Sequence, residues 1–242
     1  RDETAPTVLV KTSIAKGLQA GTTGRVLPSD IDNGTYDDFT GSLTLRISRS
    51  STGGFAQYID LTCADITTPP CLYLRATDPC TNEAISSSCT TIVVTDDVPP
   101  TAAGQNITRN VSAGNIPASL CNNGSSDGCS GTNLTFGLRK AGTSDPFVTP
   151  YPIASLSQCS SVHNMQFVCY DQAGNQSSNI VAVTITLVDD VNPVAVAQNT
   201  TLTLSTTSPG TVTLTPNLIN NGSSDNCGIT SYKLIEGTSG EV

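Results

Sequence analysis

An all-β fold built in tandem repeats is what this sequence predicts, on three observations. The loop Asn122-Asn123-Gly124-Ser125-Ser126-Asp127-Gly128-Cys129 returns almost unchanged as Asn220-Asn221-Gly222-Ser223-Ser224-Asp225-Asn226-Cys227. A worn copy stands at Asp32-Asn33-Gly34-Thr35-Tyr36-Asp37-Asp38-Phe39. An acidic pair before proline recurs as Asp2-Glu3-x-x-Pro6, Asp96-Asp97-x-x-Pro100 and Asp189-Asp190-x-x-Pro193. Asp78-x-x-x-Asn82 recurs as Asp171-x-x-Gly174-Asn175, and both sets keep an offset of 93 residues (189 − 96 and 171 − 78). Motifs returning at one fixed offset mark a unit built more than once.

Between these markers the chain runs in short alternating apolar and polar segments, broken by Gly, Pro, Asn and Ser clusters. That is the pattern of antiparallel strands. The first unit predicts strands at Val8–Lys11, Leu43–Ile47, Tyr58–Thr62, Leu72–Thr77 and Thr90–Thr95. The second predicts Asn106–Val111, Leu134–Leu138, Met165–Tyr170 and Ile180–Val188, the last rich in the β-branched residues that suit a pleated, half-buried surface. No stretch holds a helical period for three turns. Such units, with about seven strands each, fit tandem immunoglobulin-like β-sandwich repeats. The expected domains are repeat 1 over 1–97, repeat 2 over 98–190 and a truncated repeat 3 over 191–242. Half a sandwich cannot bury its own core, so the protein is expected to extend beyond Val242.

A net charge of −9 excludes nucleic acid as a partner, because nothing here neutralises a phosphate backbone. No apolar run approaches the roughly 18 residues that span a bilayer. Nine cysteines place the chain in an oxidising, extracellular or cell-surface setting. A single histidine, His163, and the lack of a CxxC pair argue against structural zinc.

Bonded cysteines should be gained or lost together between repeats. Cys121 and Cys169 match Ile31 and Ala76, which predicts Cys121–Cys169 and leaves Cys129–Cys159. Cys80 and Cys89 match Ala173 and Ala182, which predicts Cys80–Cys89 and, by exclusion, Cys63–Cys71. Nearest-neighbour pairing, Cys121–Cys129 with Cys159–Cys169, is the alternative. The partner of Cys227 is expected beyond residue 242.

In an immunoglobulin-like sandwich the entering chain, the loop between the second and third strands and the loop before the last strand share one end. That gathers Asp96, Asp97, Asn123, Asp127, Asp171 and Asn175 for the second unit. For the first it gathers Asp2, Glu3, Asp32, Asp37, Asp38, Asp78 and Asn82, and for the third Asp189, Asp190, Asn221 and Asp225. Convergent carboxylates and amide carbonyls are what calcium needs, six to eight hard oxygen ligands, and magnesium fits less well. Calcium is therefore the expected cofactor. The competing reading is ordinary turns, which favour these same residue types.

No catalytic residue is expected. His163 has no evident Ser or Cys partner, and the acidic pairs lie in linkers and loops without an aromatic platform for sugar. Asn-x-Ser/Thr sites stand at Asn33, Asn106, Asn110, Asn123, Asn133, Asn175, Asn199 and Asn221, glycan acceptors if the protein passes a eukaryotic secretory route.

Residues 96–108 (Asp-x-x-Pro-Pro-Thr-Ala-x-x-Gln-Asn-Ile-Thr), 220–229 and the Asp-x-x-Gly-Asn at 171–175 resemble hyalin-repeat-type, immunoglobulin-like modules of large Bacteroidetes-type surface adhesins and secreted proteins. The resemblance implies an outer-surface location, tandem sandwiches and a stalk or adhesive role. Where that pattern often carries a first-strand cysteine, this chain has Gly104 and Ala197. The expected function is a non-catalytic extracellular stalk or fibre, part of a much longer surface protein. Its expected partners are neighbouring repeats of the same chain, other copies in a fibre, or a surface or glycan ligand. The alternatives are an accessory region of a large secreted enzyme and a ligand-binding ectodomain.

Overall fold

Alternation sets the core. The computed structural model describes residues 2–18, 24–39, 41–159, 161–206 and 209–236. Its strands are β1 (Ser13–Leu18), β2 (Gly24–Val26), β3 (Thr44–Ser48), β4 (Ile59–Leu61), β5 (Cys71–Thr77), β6 (Glu83–Ile85) and β7 (Thr90–Asp96). They continue with β8 (Ile107–Asn110), β9 (Thr135–Lys140), β10 (Val162–Tyr170) and β11 (Val181–Val188). Along β5, Leu72, Leu74 and Ala76 are buried while Tyr73 and Arg75 are half-buried; along β7, Thr90, Ile92 and Val94 are buried between exposed neighbours. Successive side chains of a strand point to opposite faces, so each buries a single row.

One sheet runs β1-β7-β5-β3, with β6 also paired to β5, and β2 pairs with β4 separately. β3, β5 and β7 take the places of strands C, F and G, and β2 with β4 that of the B–E pair, the two sheets of an immunoglobulin-like sandwich. The first strand lies parallel to the last, Ser13 opposite Thr91 through Leu18 opposite Asp96. Leu18, Val26, Ile31, Ile47, Leu61, Leu72, Leu74, Ile92 and Val94 form the core. The second sheet repeats the order, β8-β11-β10-β9, with β8 again parallel to β11. The isolated bridge Ile116–Tyr151 lies between β8 and β10 in sequence.

The chain divides into two compact units. One comprises Arg1–Ala103, Asn122–Phe136 and Val168–Val181; the other comprises Gly104–Cys121, Gly137–Phe167 and Ala182–Val242. The expected strand at Val8–Lys11 is corrected. That stretch makes a single bridge, Val10–Asp32, with Thr7–Tyr36 just before it, and the edge strand is β1. Its backbone groups are spent on the loop at 31–36 before the chain reaches β7. Short helical turns also form: α1 (Pro28–Ile31), α2 (Ala64–Thr67) and α3 (Pro216–Ile219). No helix among the described residues is long and apolar enough to cross a membrane.

Candidate metal centres

The buried rows of three strands end in carboxylates. Asp96 follows Ile92 and Val94 on β7 and is 8% exposed. Asp171 continues the row Met165, Phe167 and Cys169 of β10 and is 5% exposed. Asp189 continues Val183, Ile185 and Leu187 of β11 and is half-buried. Strand parity thus delivers an acid at the rim of an apolar row, where a charge is costly unless something compensates it.

The loop that carries the next acid is built alike in all three copies. The first residue caps it by an Asx turn: Asp32 Oδ1 accepts the Thr35 N–H, Asn122 Oδ1 that of Ser125, and Asn220 Oδ1 that of Ser223. The Ser or Thr hydroxyl pins it to the entering chain, donating to the carbonyls of Leu9, Ala103 and Val196. Gly34, Gly124 and Gly222 turn at φ +88, +90 and +87, a conformation only glycine adopts cheaply. Asp37, Asp127 and Asp225 then each spend Oδ1 on a backbone N–H two residues on, at 2.8 Å. Their Oδ2 atoms are buried and without a hydrogen-bond partner, as is Oδ2 of Asp2.

A third element closes the first two copies. Asn82 and Asn175 donate from Nδ2 both to their own loop acid, Asp78 or Asp171, and to the backbone carbonyl of Asp2 or Asp96. The asparagines therefore clamp the acidic linker onto the loop.

Three groups result, each with its ligand atoms within 4.8 Å of one another: Asp2, Asp37 and Asp38; Asp96, Asp127 and Asp171; Asp189, Asp225 and Cys227. Calcium–oxygen distances are about 2.3–2.6 Å, so one ion can touch two oxygens at that separation. Electrostatics differ between the groups. Burial pushes the Asp96 carboxyl above its usual range, and the charges of Asp127, Asp171 and Asp97 push it further. Asp189 is held below its usual range, chiefly by the Val191 amide. The first two donor sets are all oxygen and include buried oxygens with no partner, which suits a hard cation; the third includes a soft sulfur.

Several expected ligands lie elsewhere. Asp97 is exposed, and its carboxylate occupies the space a Cβ would need at Gly17. Asp190 turns to Ser112, accepting from its N–H and its hydroxyl. Glu3 is exposed, Asp78 is buried on Asn82, and Asn123 bonds through its backbone to Ala103. For Asp96 and Asp97 the reason is the pleat: Asp96 continues the buried row of β7, and the next residue faces the other way. Sequence reasoning missed Cys227 as a member of the third group. Asn175 is also a poor glycan acceptor, since its amide nitrogen is held twice.

The disulfide expectations are corrected. Cys63 is bonded to Cys129 and Cys71 to Cys89. Cys71 lies opposite Thr91, two residues past Cys89, so adjacent strands bring that pair together. Cys63–Cys71, Cys80–Cys89 and Cys129–Cys159 are therefore not formed. Cys121 and Cys169 are buried, unbonded thiols, and burial pushes Cys121 up to about 11. Gain and loss at matched positions could not reveal Cys63–Cys129, whose two ends stand 66 residues apart in sequence and meet within one compact unit.

His163 has a partner after all, Ser161 Oγ at 2.7 Å. Its Nε2 also lies 2.9 Å from the Ser157 carbonyl, which can only accept. Nε2 thus carries the hydrogen and is no base for Ser161.

No family model matches this chain, and no curated protein matches it in sequence. Solved structures resemble it weakly. Mouse cadherin-23 EC22-24 is 15% identical with a TM-score of 0.35, over 79% of this chain and 69% of that one. Human mucin-like protocadherin EC1-2 is 12% identical with a TM-score of 0.34, over 76% and 98%. The fibronectin(III)-like modules of Clostridium thermocellum CbhA are 14% identical with a TM-score of 0.23, over 76% and 94%.

Proposed function

We propose that this chain is part of a non-catalytic, extracellular adhesive stalk or fibre of tandem immunoglobulin-like repeats, whose acidic linkers are stiffened by calcium. One observation carries the reading: a linker acid and a loop acid with a buried, unpartnered Oδ2 meet in all three copies, as Asp2 with Asp37, Asp96 with Asp127 and Asp189 with Asp225. Ordinary turns do not require a partnerless buried carboxylate oxygen, which costs about 1–3 kcal/mol or more when charged. A cation bridging these oxygens offsets that cost and ties the linker to the loop.

Asp96, Asp127 and Asp171 would hold the ion in the second copy, and Asp2, Asp37 and Asp38 in the first. Asn82 and Asn175 position the linker backbone. The ion supplies charge compensation and rigidity. At a dissociation constant of about 0.1–1 mM, typical of extracellular calcium sites, 10 mM calcium adds roughly 1–3 kcal/mol per site. The resemblance to hyalin-repeat modules of bacterial surface adhesins supports a stalk that presents a distal binding element. Partners would be neighbouring repeats and other copies of the same fibre.

Small-angle scattering of the chain in calcium and in chelator tests this reading. The stalk predicts a narrower distribution of end-to-end distances with calcium. Identical profiles would remove calcium from the mechanism.

A further inference from the structure

Cys63 and Cys129 are joined with Cα atoms 5.1 Å apart, and Cys63 Sγ also lies 3.6 Å from the Gly128 carbonyl oxygen. The loop that carries Cys129 is the one whose copy carries Cys227, with Asn226 in the place of Gly128. The two cysteines leave matching turns: each backbone N–H donates to the preceding Asp Oδ1, from Asp127 and Asp225, at 2.8 Å. Against the second copy stands another thiol. Cys159 Sγ lies 3.8 Å from the carbonyl oxygen of Asn226, the residue before Cys227, just as Cys63 Sγ lies against that of Gly128, the residue before Cys129. The chain separations are also close, 66 residues for the bonded pair and 68 for the other (227 − 159).

We propose that Cys159 and Cys227 form a disulfide equivalent to Cys63–Cys129, so that one staple design is used twice along the chain. Both cysteines belong to the same compact unit. Cys159 is exposed, which gives an oxidant access. The oxidant is a low-molecular-weight disulfide of the glutathione type. The Cys159 thiolate attacks one of its sulfurs, expels one thiol and forms a mixed disulfide. The Cys227 thiolate then attacks Cys159 Sγ and expels the second thiol. Two protein thiols lose two protons and two electrons, one S–S bond forms and the oxidant's S–S bond is lost. The new bond also withdraws the Cys227 thiol from Asp189 and Asp225, leaving that group its oxygen donors.

Met165, the only methionine, makes the test clean. Cyanogen bromide cleaves after it, leaving Cys159 on one fragment and Cys227 on the other. The chain is incubated with oxidised glutathione, alkylated with iodoacetamide under denaturing conditions, and cleaved without reduction, first with cyanogen bromide and then with chymotrypsin. Mass spectrometry is expected to find one linked peptide pair containing Cys159 and Cys227, lost in Cys159→Ser. Recovery of both cysteines alkylated, each carrying glutathione, or bonded to other cysteines such as Cys121 or Cys169 would overturn the proposal.

Discussion

The second and third acidic groups are copies of one design in different surroundings. Asp96, Asp127 and Asp171 bring three carboxylates together, two of them buried, and Asp96 is driven above its ordinary range by burial and by its neighbours' charge. Asp189 and Asp225 are half-buried and meet a thiol instead of a third carboxylate, and Asp189 is held below its ordinary range. Crowding without compensation is what separates them. The second group has the more to gain from a cation, and the comparison can be broken at several points.

The largest effect is expected from the row beneath Asp96. Ile92 is fully buried, and Ile92→Ala should cost about 2–5 kcal/mol in urea unfolding and weaken calcium binding by releasing the strand end. Replacing Cys63 and Cys129 together by Ser should cost about 2–4 kcal/mol, read as a lower midpoint without loss of the β-sheet circular dichroism signal. Asp127→Asn should remove the roughly 1–3 kcal/mol that calcium adds at that group, yet raise stability in chelator by relieving repulsion. Asp225→Asn, in the less crowded copy, should show a smaller version of both effects.

pH gives a further, smaller handle. In metal-free protein, the raised Asp96 contributes stability that is present below the unfolded value of about 3.9 and lost as pH rises through its folded value. Calcium displaces that proton, so the calcium-dependent gain in melting temperature should shrink as pH falls toward about 4. The smallest effect belongs to Asp97. It is exposed and outside the group, so Asp97→Ala should leave the calcium response intact and change stability by no more than about 0.5 kcal/mol.

Much of this was legible in the sequence, for physical reasons that can be named. β5, β7 and β11 announce themselves because each buries one face against a core. β1 does not, since Ser13, Ala15 and Gly17 give no apolar alternation and it is placed by its parallel pairing to β7. β2, β4 and β6 are three residues each, too short to carry a period, although β4 falls within an expected strand. The three loop copies pointed to Asp37, Asp127 and Asp225 directly. Which acid of the Asp96–Asp97 pair faces inward was not visible in the motif, but it follows from strand parity: Asp96 shares the face of Ile92 and Val94, and Asp97 does not. Cys63–Cys129 was hidden because its two ends stand 66 residues apart, a pairing that only tertiary structure brings about.

Thermal melting of the oxidised chain in 10 mM calcium and in chelator tests the central claim most directly, with Asp96→Asn/Asp127→Asn and Asp97→Ala beside it. The account predicts a rise of several degrees with calcium in the parent chain and in Asp97→Ala, sharply reduced in the double variant. No rise in the parent chain, or an undiminished rise in the double variant, would contradict it and reduce these loops to well-made turns.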